Sequence, residues 1–126
     1  MQTPPSDDSA HSKYFPKNVH KQYHAHVYFD QKTSDFAASL RERISDELGL
    51  PVGRFHEKNV GPHTRWSYQV LFDQRDFDRA ITWLDSHRNG LTLLVHGVTG
   101  DDYADHTDHA YWLGEPTEIN LAAFDH

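Results

Sequence analysis

The chain has no cysteine among its 126 residues. That excludes disulfides, thiolate metal sites and a cysteine nucleophile. Basic residues are also scarce: 12 Lys and Arg stand against 19 Asp and Glu, a formal net charge of −7 with His neutral. General nucleic-acid and anionic-membrane binders present a basic face, so neither partner is expected. No apolar run approaches the roughly 18 residues that a membrane helix requires. The opening residues, MQTPPSDDSA, lack the charged-then-apolar pattern of a secretory signal. Together with the missing cysteine, this gives a cytoplasmic location as the expectation. Phosphate-binding glycine loops, nucleophile elbows, HExxH and EF-hand patterns are all missing.

Histidine, by contrast, occurs eleven times. It is the commonest protein metal ligand and the usual acid/base near neutral pH. The histidines are spread along the chain, so they are not a terminal tag. His11, His20, His87 and His126 read as ordinary surface residues.

Residues 1–21 are polar, with Pro4, Pro5 and Pro16, and read as a flexible tail. Residues 22–126 read as one domain. YHAHVYFD, residues 23–30, alternates with period two and predicts a strand. Phe36, Leu40, Ile44 and Leu48 recur near helical spacing, with Thr33 or Ser34 as the expected cap and Gly49 as the stop. GRFHEKNV predicts a second strand and RWSYQVLFD a third. RDFDRAITWLDSHRNG predicts a helix ending at Gly90, and LTLLVHGVTG a fourth strand. The order is βαββαβ. The expected fold is therefore α+β and ferredoxin-like, an antiparallel sheet with two helices on one face. Open sheets of this type commonly pack against a second copy, so a homodimeric α+β barrel is expected.

Alternation assigns the faces. Ala25, Val27 and Phe29 go beneath the helices with Leu91, Leu93, Val95 and Phe55. The opposite face carries His24, His26 and Tyr28, then Arg54 and His56, Arg65, and His96. In the expected strand order His96 falls beside His24 and His26, and the hairpin bearing His63 lies at the same end. Strands about 4.8 Å apart, with i, i+2 residues about 6.7 Å apart, let imidazoles from these positions converge on one ion at about 2.1 Å. A polar dimer interface is the other reading of that face. Residues 96–114, HGVTGDDYADHTDHAYWLG, form a second constellation. Asp101, Asp102, Asp105, His106, Asp108 and His109 can supply ligands, their partners or a proton shuttle; a solvated acidic loop is the alternative.

Taken together, YHAHVYFD, RFHEKNVGPHTRWSYQVLF, NGLTLLVHGVTGDDYADHTDHAYWLG and INL resemble the DOPA 4,5-dioxygenase family, in the family's order and over residues 22–122. One departure is Gly97, where the family is associated with proline. The resemblance implies a non-haem Fe(II) extradiol dioxygenase that opens a catechol with O2. Zn or Ni can occupy such a histidine site in purified protein. It also implies His26 and His96 as metal ligands with His24 third, and His63 as acid/base or substrate-binding residue with His56 second. Arg54 and Arg65, with Tyr28, are the expected substrate-binding residues. An all-histidine set is preferred to one completed by Glu57, which alternates toward the wrong face. Two competing readings are a cofactorless monooxygenase of the dimeric α+β barrel type and a non-enzymatic module that binds a metal or ligand.

Overall fold

The computed structural model describes residues 15–124. Strand β1 (Gln22–Phe29) leads into helix α1 (Ser34–Arg43), whose last turn widens into a π-helical turn at Ile44–Leu48. Strand β2 (Trp66–Asp73), helix α2 (Phe77–His87) and strand β3 (Leu93–Gly97) follow. A short helix α3 (Asp102–Asp105) then leads to strand β4 (Ala110–Leu113) and a 3₁₀ turn at Leu121–Phe124.

The sheet is antiparallel, in the order β2-β1-β3-β4. Its helix-covered face carries Ala25, Val27, Phe29, Tyr68, Val70, Leu93 and Val95. These join Leu40, Ile44, Ile81 and Leu84 of the helices in one core. Each of the Val, Leu, Ile and Phe side chains among them stabilises the fold by about 1.5–3 kcal/mol relative to exposure. Gly49 closes the first helix at φ +67, a left-handed conformation that costs glycine little. The Thr33 hydroxyl makes no cap on that helix; it accepts the Asp30 N–H at 2.9 Å instead.

The ferredoxin-like βαββαβ barrel expectation requires correction. The sheet is not closed into a barrel: β2 and β4 are its two edges and do not pair with each other. The expected second strand, at 53–60, is reduced to two isolated bridges, Val52 to Val70 and His56 to Ser67. Three residues lie between the bridges on one side and two on the other, so the pairing slips by one residue. Pro51 has no N–H to donate, and Gly53 weakens a strand further. The fourth strand of the sheet is supplied by β4, from the region beyond the expected βαββαβ unit.

The one-residue slip works as a bulge, which reverses the side-chain alternation. Phe55 thereby stacks on Phe29 at 4.4 Å on the core side. His56 is left on the opposite face.

Of the expected tail, residues 1–14 lie outside the described residues, as does His126. Residues 15–21 run along the sheet's end, tied down by Tyr23. Its hydroxyl accepts the N–H groups of Val19 and His20, both at 2.7 Å. Among the described residues no helix is long and apolar enough to cross a membrane.

Candidate metal centre

The sheet face away from the helices gathers histidines because of its register. His24 lies directly opposite His96 across the β1–β3 ladder, and His26 follows two residues on. All three therefore project from one face. Their ligand nitrogens lie within 4.8 Å of one another. A second triad, His26, His63 and His106, meets the same limit. His26 belongs to both.

The Nε2 atoms of His26 and His96 are 3.0 Å apart. Two adjacent imidazole nitrogens on one ion, each bonded at about 2.1 Å, are separated by about 3.0 Å when the bonds are perpendicular. The donor spacing thus fits a transition-metal ion. The tautomers fit as well. His96 Nδ1 lies 2.8 Å from the Gly97 carbonyl and donates to it, which leaves the Nε2 lone pair for a metal. His106 Nδ1 donates in the same way to the Asp102 carbonyl at 2.8 Å.

Burial keeps the rings of His26 and His96 neutral. His96 is 3% and His26 7% exposed. Desolvation is the first cause lowering both, and surrounding histidines add to it; His96 falls to about 3 and His26 lies well below the ordinary range. His24, half-buried, is lowered chiefly by burial too. Neutral imidazoles are the form a metal binds.

His63 lies in the turn before β2, bridged to Ile119, and is buried. Its Nδ1 is 2.7 Å from the Tyr28 hydroxyl. Burial, then His106 and His56, bring His63 down to about 4. Burial also holds the Tyr28 hydroxyl above its usual range, so it stays protonated. The hydroxyl and Nδ1 share one hydrogen bond, whose donor is set by the tautomer of His63.

A cleft of about 260 Å³ opens beside these rings, lined in part by His26, Arg54, His56, His63 and Gln69. It lies near the small end of ordinary ligand pockets, about 300 Å³. A larger cleft of about 710 Å³ on the far side of Gly61 and Pro62 is lined by Asp101, Asp102, Tyr103 and Phe124.

The structure therefore brings together His24, His26, His96, His63 and His56, with Arg54 at the cleft. Arg65 is exposed and does not line the cleft. Tyr28 is 2% exposed, its hydroxyl spent on His63. Glu57 accepts from Ser34 Oγ at 3.2 Å, away from the cluster. Asp105, buried, accepts the Thr99 N–H and hydroxyl at 3.0 and 2.6 Å, which closes the loop that carries His106. His106 was one of several candidates in the acidic stretch. Nothing in the sequence singled it out, because its place depends on this loop closure. His87 stacks on Trp83 at 4.0 Å. His20 is half-buried against Gly97, where the sequence suggested an ordinary surface residue.

An open α+β sheet with neutral histidines clustered on its uncovered face defines a protein with a site able to bind a metal ion. The Dopa 4,5-dioxygenase family model matches residues 23–123, and the chain belongs to that family. A crystal structure of a "putative dioxygenase" from Nostoc punctiforme is similar, with a TM-score of 0.79 and 39% identity over 82% of this chain and 90% of that one. An uncharacterized 21.2 kDa protein of Botryotinia fuckeliana is 36% identical over 79% of this chain and 61% of its own length. The DOPA 4,5-dioxygenase of Amanita muscaria is 29% identical over 81% of this chain. The chain spans about half, 49%, of the Amanita protein.

Proposed function

We propose that the protein is a non-haem Fe(II) extradiol dioxygenase that opens a catechol ring, of DOPA type, with O2. The observation that carries this reading is the pairing of His26 and His96 Nε2 at 3.0 Å within a histidine triad. His26 and His96, with His24 third, are the proposed ligands; His26, His63 and His106 form the alternative set. Bound Fe(II) supplies a Lewis-acidic, redox-active centre with positions left open for the catechol oxygens and O2.

The chain's own residues supply the remainder. His63 is the proposed acid/base for the catechol hydroxyl: in the tautomer whose Nδ1–H donates to the Tyr28 oxygen, its Nε2 lone pair is free to take that proton. His56 stands beside it on the cleft wall. Arg54, also on that wall, is placed to hold a substrate carboxylate with paired N–H donors. Arg65, exposed, serves at most the outer end of such a substrate. The buried rings behind the cleft exclude water from the reacting side.

The test is oxygen uptake by Fe(II)-reconstituted protein under reducing conditions, with L-DOPA and a panel of simpler catechols. Uptake with a yellow ring-opened product, abolished by chelation, is the expected result. Activity that survives chelation would point to a cofactorless oxygenase. Metal binding without uptake on any catechol would point to a binding module.

A further inference from the structure

Gly97 follows His96 directly, and the ring of His20 rests on it. A Cβ built at Gly97 would lie 2.5 Å from His20 Cδ2 and 2.6 Å from Cγ. Both atoms belong to the ring, so the contact is not with the loose end of a flexible chain. The ring is held from its other sides as well. Its centroid is 4.5 Å from that of His109 and 5.7 Å from that of Tyr23. Its backbone N–H is fixed on the Tyr23 hydroxyl at 2.7 Å. Tyr23 itself is 1% exposed, so the segment is anchored on a core side chain.

The Gly97 peptide has a task of its own. Its carbonyl oxygen takes the Nδ1 proton of His96 at 2.8 Å. The Gly97 N–H is bound to the His109 carbonyl at 3.1 Å, and the Val98 N–H to the Gln22 carbonyl at 3.0 Å. Glycine is the residue least able to hold its own backbone direction. Here a neighbouring ring occupies the space where a side chain would sit and limits that freedom.

We propose that His20 is a positioning residue for the metal site: its ring, wedged between Gly97 and His109, fixes the carbonyl that sets the tautomer and direction of His96. The proposal rests on the reading of His96 as a metal ligand. Partners that orient a ligand imidazole typically change metal affinity about 10–100-fold when lost.

The test combines zinc(II) titration calorimetry with ¹⁵N–¹H spectra of the metal-free protein, which report the His96 tautomer. In the wild-type protein His96 is expected as the Nδ1–H form alone. His20→Ala is expected to weaken zinc binding about tenfold and to give a mixture of tautomers. His20→Phe, which refills the space with a ring, is expected to restore both. Gly97→Ala is expected to weaken binding by forcing the ring out. The double variant H20A/G97A is expected to be no worse than His20→Ala, because the clash has gone. Should the alanine variant not fold, His20→Val takes its place.

Unchanged zinc affinity and a single His96 tautomer in His20→Ala would overturn the proposal, even if the melting temperature fell. So would independent, multiplying effects of the two substitutions. If the wild-type protein bound no zinc, the dioxygenase reading would fall. The tautomer comparison would then decide the role of His20: a mixture in the variant supports it, and an unchanged form overturns it.

Discussion

Tyr28 and His63 are joined by a 2.7 Å hydrogen bond between two buried side chains, hydroxyl to Nδ1. They come from the end of β1 and from the turn before β2. The bond occupies His63 Nδ1 and holds the ring in one direction. Tyr28 is therefore the proposed support for His63.

Replacing Tyr28 by Phe removes the hydroxyl and leaves the ring in place. The expected result is a kcat lowered about tenfold or more, with KM and metal content unchanged. His63→Ala goes further, and about 10²–10⁴-fold is expected for loss of an acid/base group. Steady-state kinetics beside metal analysis of both variants checks this. Loss of metal from His63→Ala would instead make His63 a ligand, through the triad it forms with His26 and His106.

Those two triads share His26, so the ligand variants are not equivalent. His26→Ala is expected to abolish metal binding, because it breaks both. His96→Ala should do the same if the ion sits between the paired Nε2 atoms. His24→Ala and His106→Ala then separate the two triads: the variant that loses more metal after equilibrium dialysis names the one that holds the ion. A metal present at 100 times its Kd raises wild-type stability by about 2.7 kcal/mol. Thermal denaturation with and without metal gives a second measure, and that increment should vanish in His26→Ala.

Much of this arrangement was legible in the sequence because period-two alternation is a strong signal. Ala25, Val27 and Phe29 could only face the core, which put His24, His26 and Tyr28 together on the other side. Phe55 and His56 were also assigned to opposite faces correctly, although the strand expected to carry them is only a bulged pair of bridges. Single-residue slips leave no mark in hydrophobicity; the signals against this strand were Pro51 and Gly53 at its start. The edge strand Ala110–Leu113 was missed for a related reason: it is four residues long and follows a polar loop. The place of His106 depends on the bonds between Asp105 and Thr99, and that contact has no local pattern.

Arg54 lines the smaller cleft and makes no ion pair among the described residues. Its guanidinium is thus available for a carboxylate. Arg54→Ala is expected to raise KM for carboxylate-bearing catechols about 10-fold or more, the scale of a lost charge-assisted hydrogen bond of roughly 1.5–3 kcal/mol. Unsubstituted catechol should be affected little. Arg65→Ala is expected to have the smaller effect on both, since Arg65 lies outside the cleft. Equal effects on both substrates would assign Arg54 to packing and not to recognition.

Acid sensitivity follows from the same burial that prepares the site. In the metal-free protein His63 and His96 are held neutral, lowered to about 4 and about 3 from an ordinary 6.5. In the unfolded chain both take up protons as pH falls through about 6.5. Over that range the unfolded state binds more protons, so stability falls as pH falls. The contribution is complete above about 6.5 and is lost progressively down to the folded values. Each group acts with a slope of up to about 1.4 kcal/mol per pH unit. Urea denaturation of chelated protein at pH 7 and pH 5 should therefore show a clear drop in midpoint. His63→Gln, which cannot titrate, should shrink the drop by its share. Metal lowers the acid limit no further than its own retention permits, because protons and metal compete for the same Nε2 lone pairs. The stabilisation by metal is accordingly expected to fade with falling pH. A midpoint independent of pH between 7 and 5 would mean that these histidines are not held neutral by the fold, and the case for a preformed metal site would weaken with it.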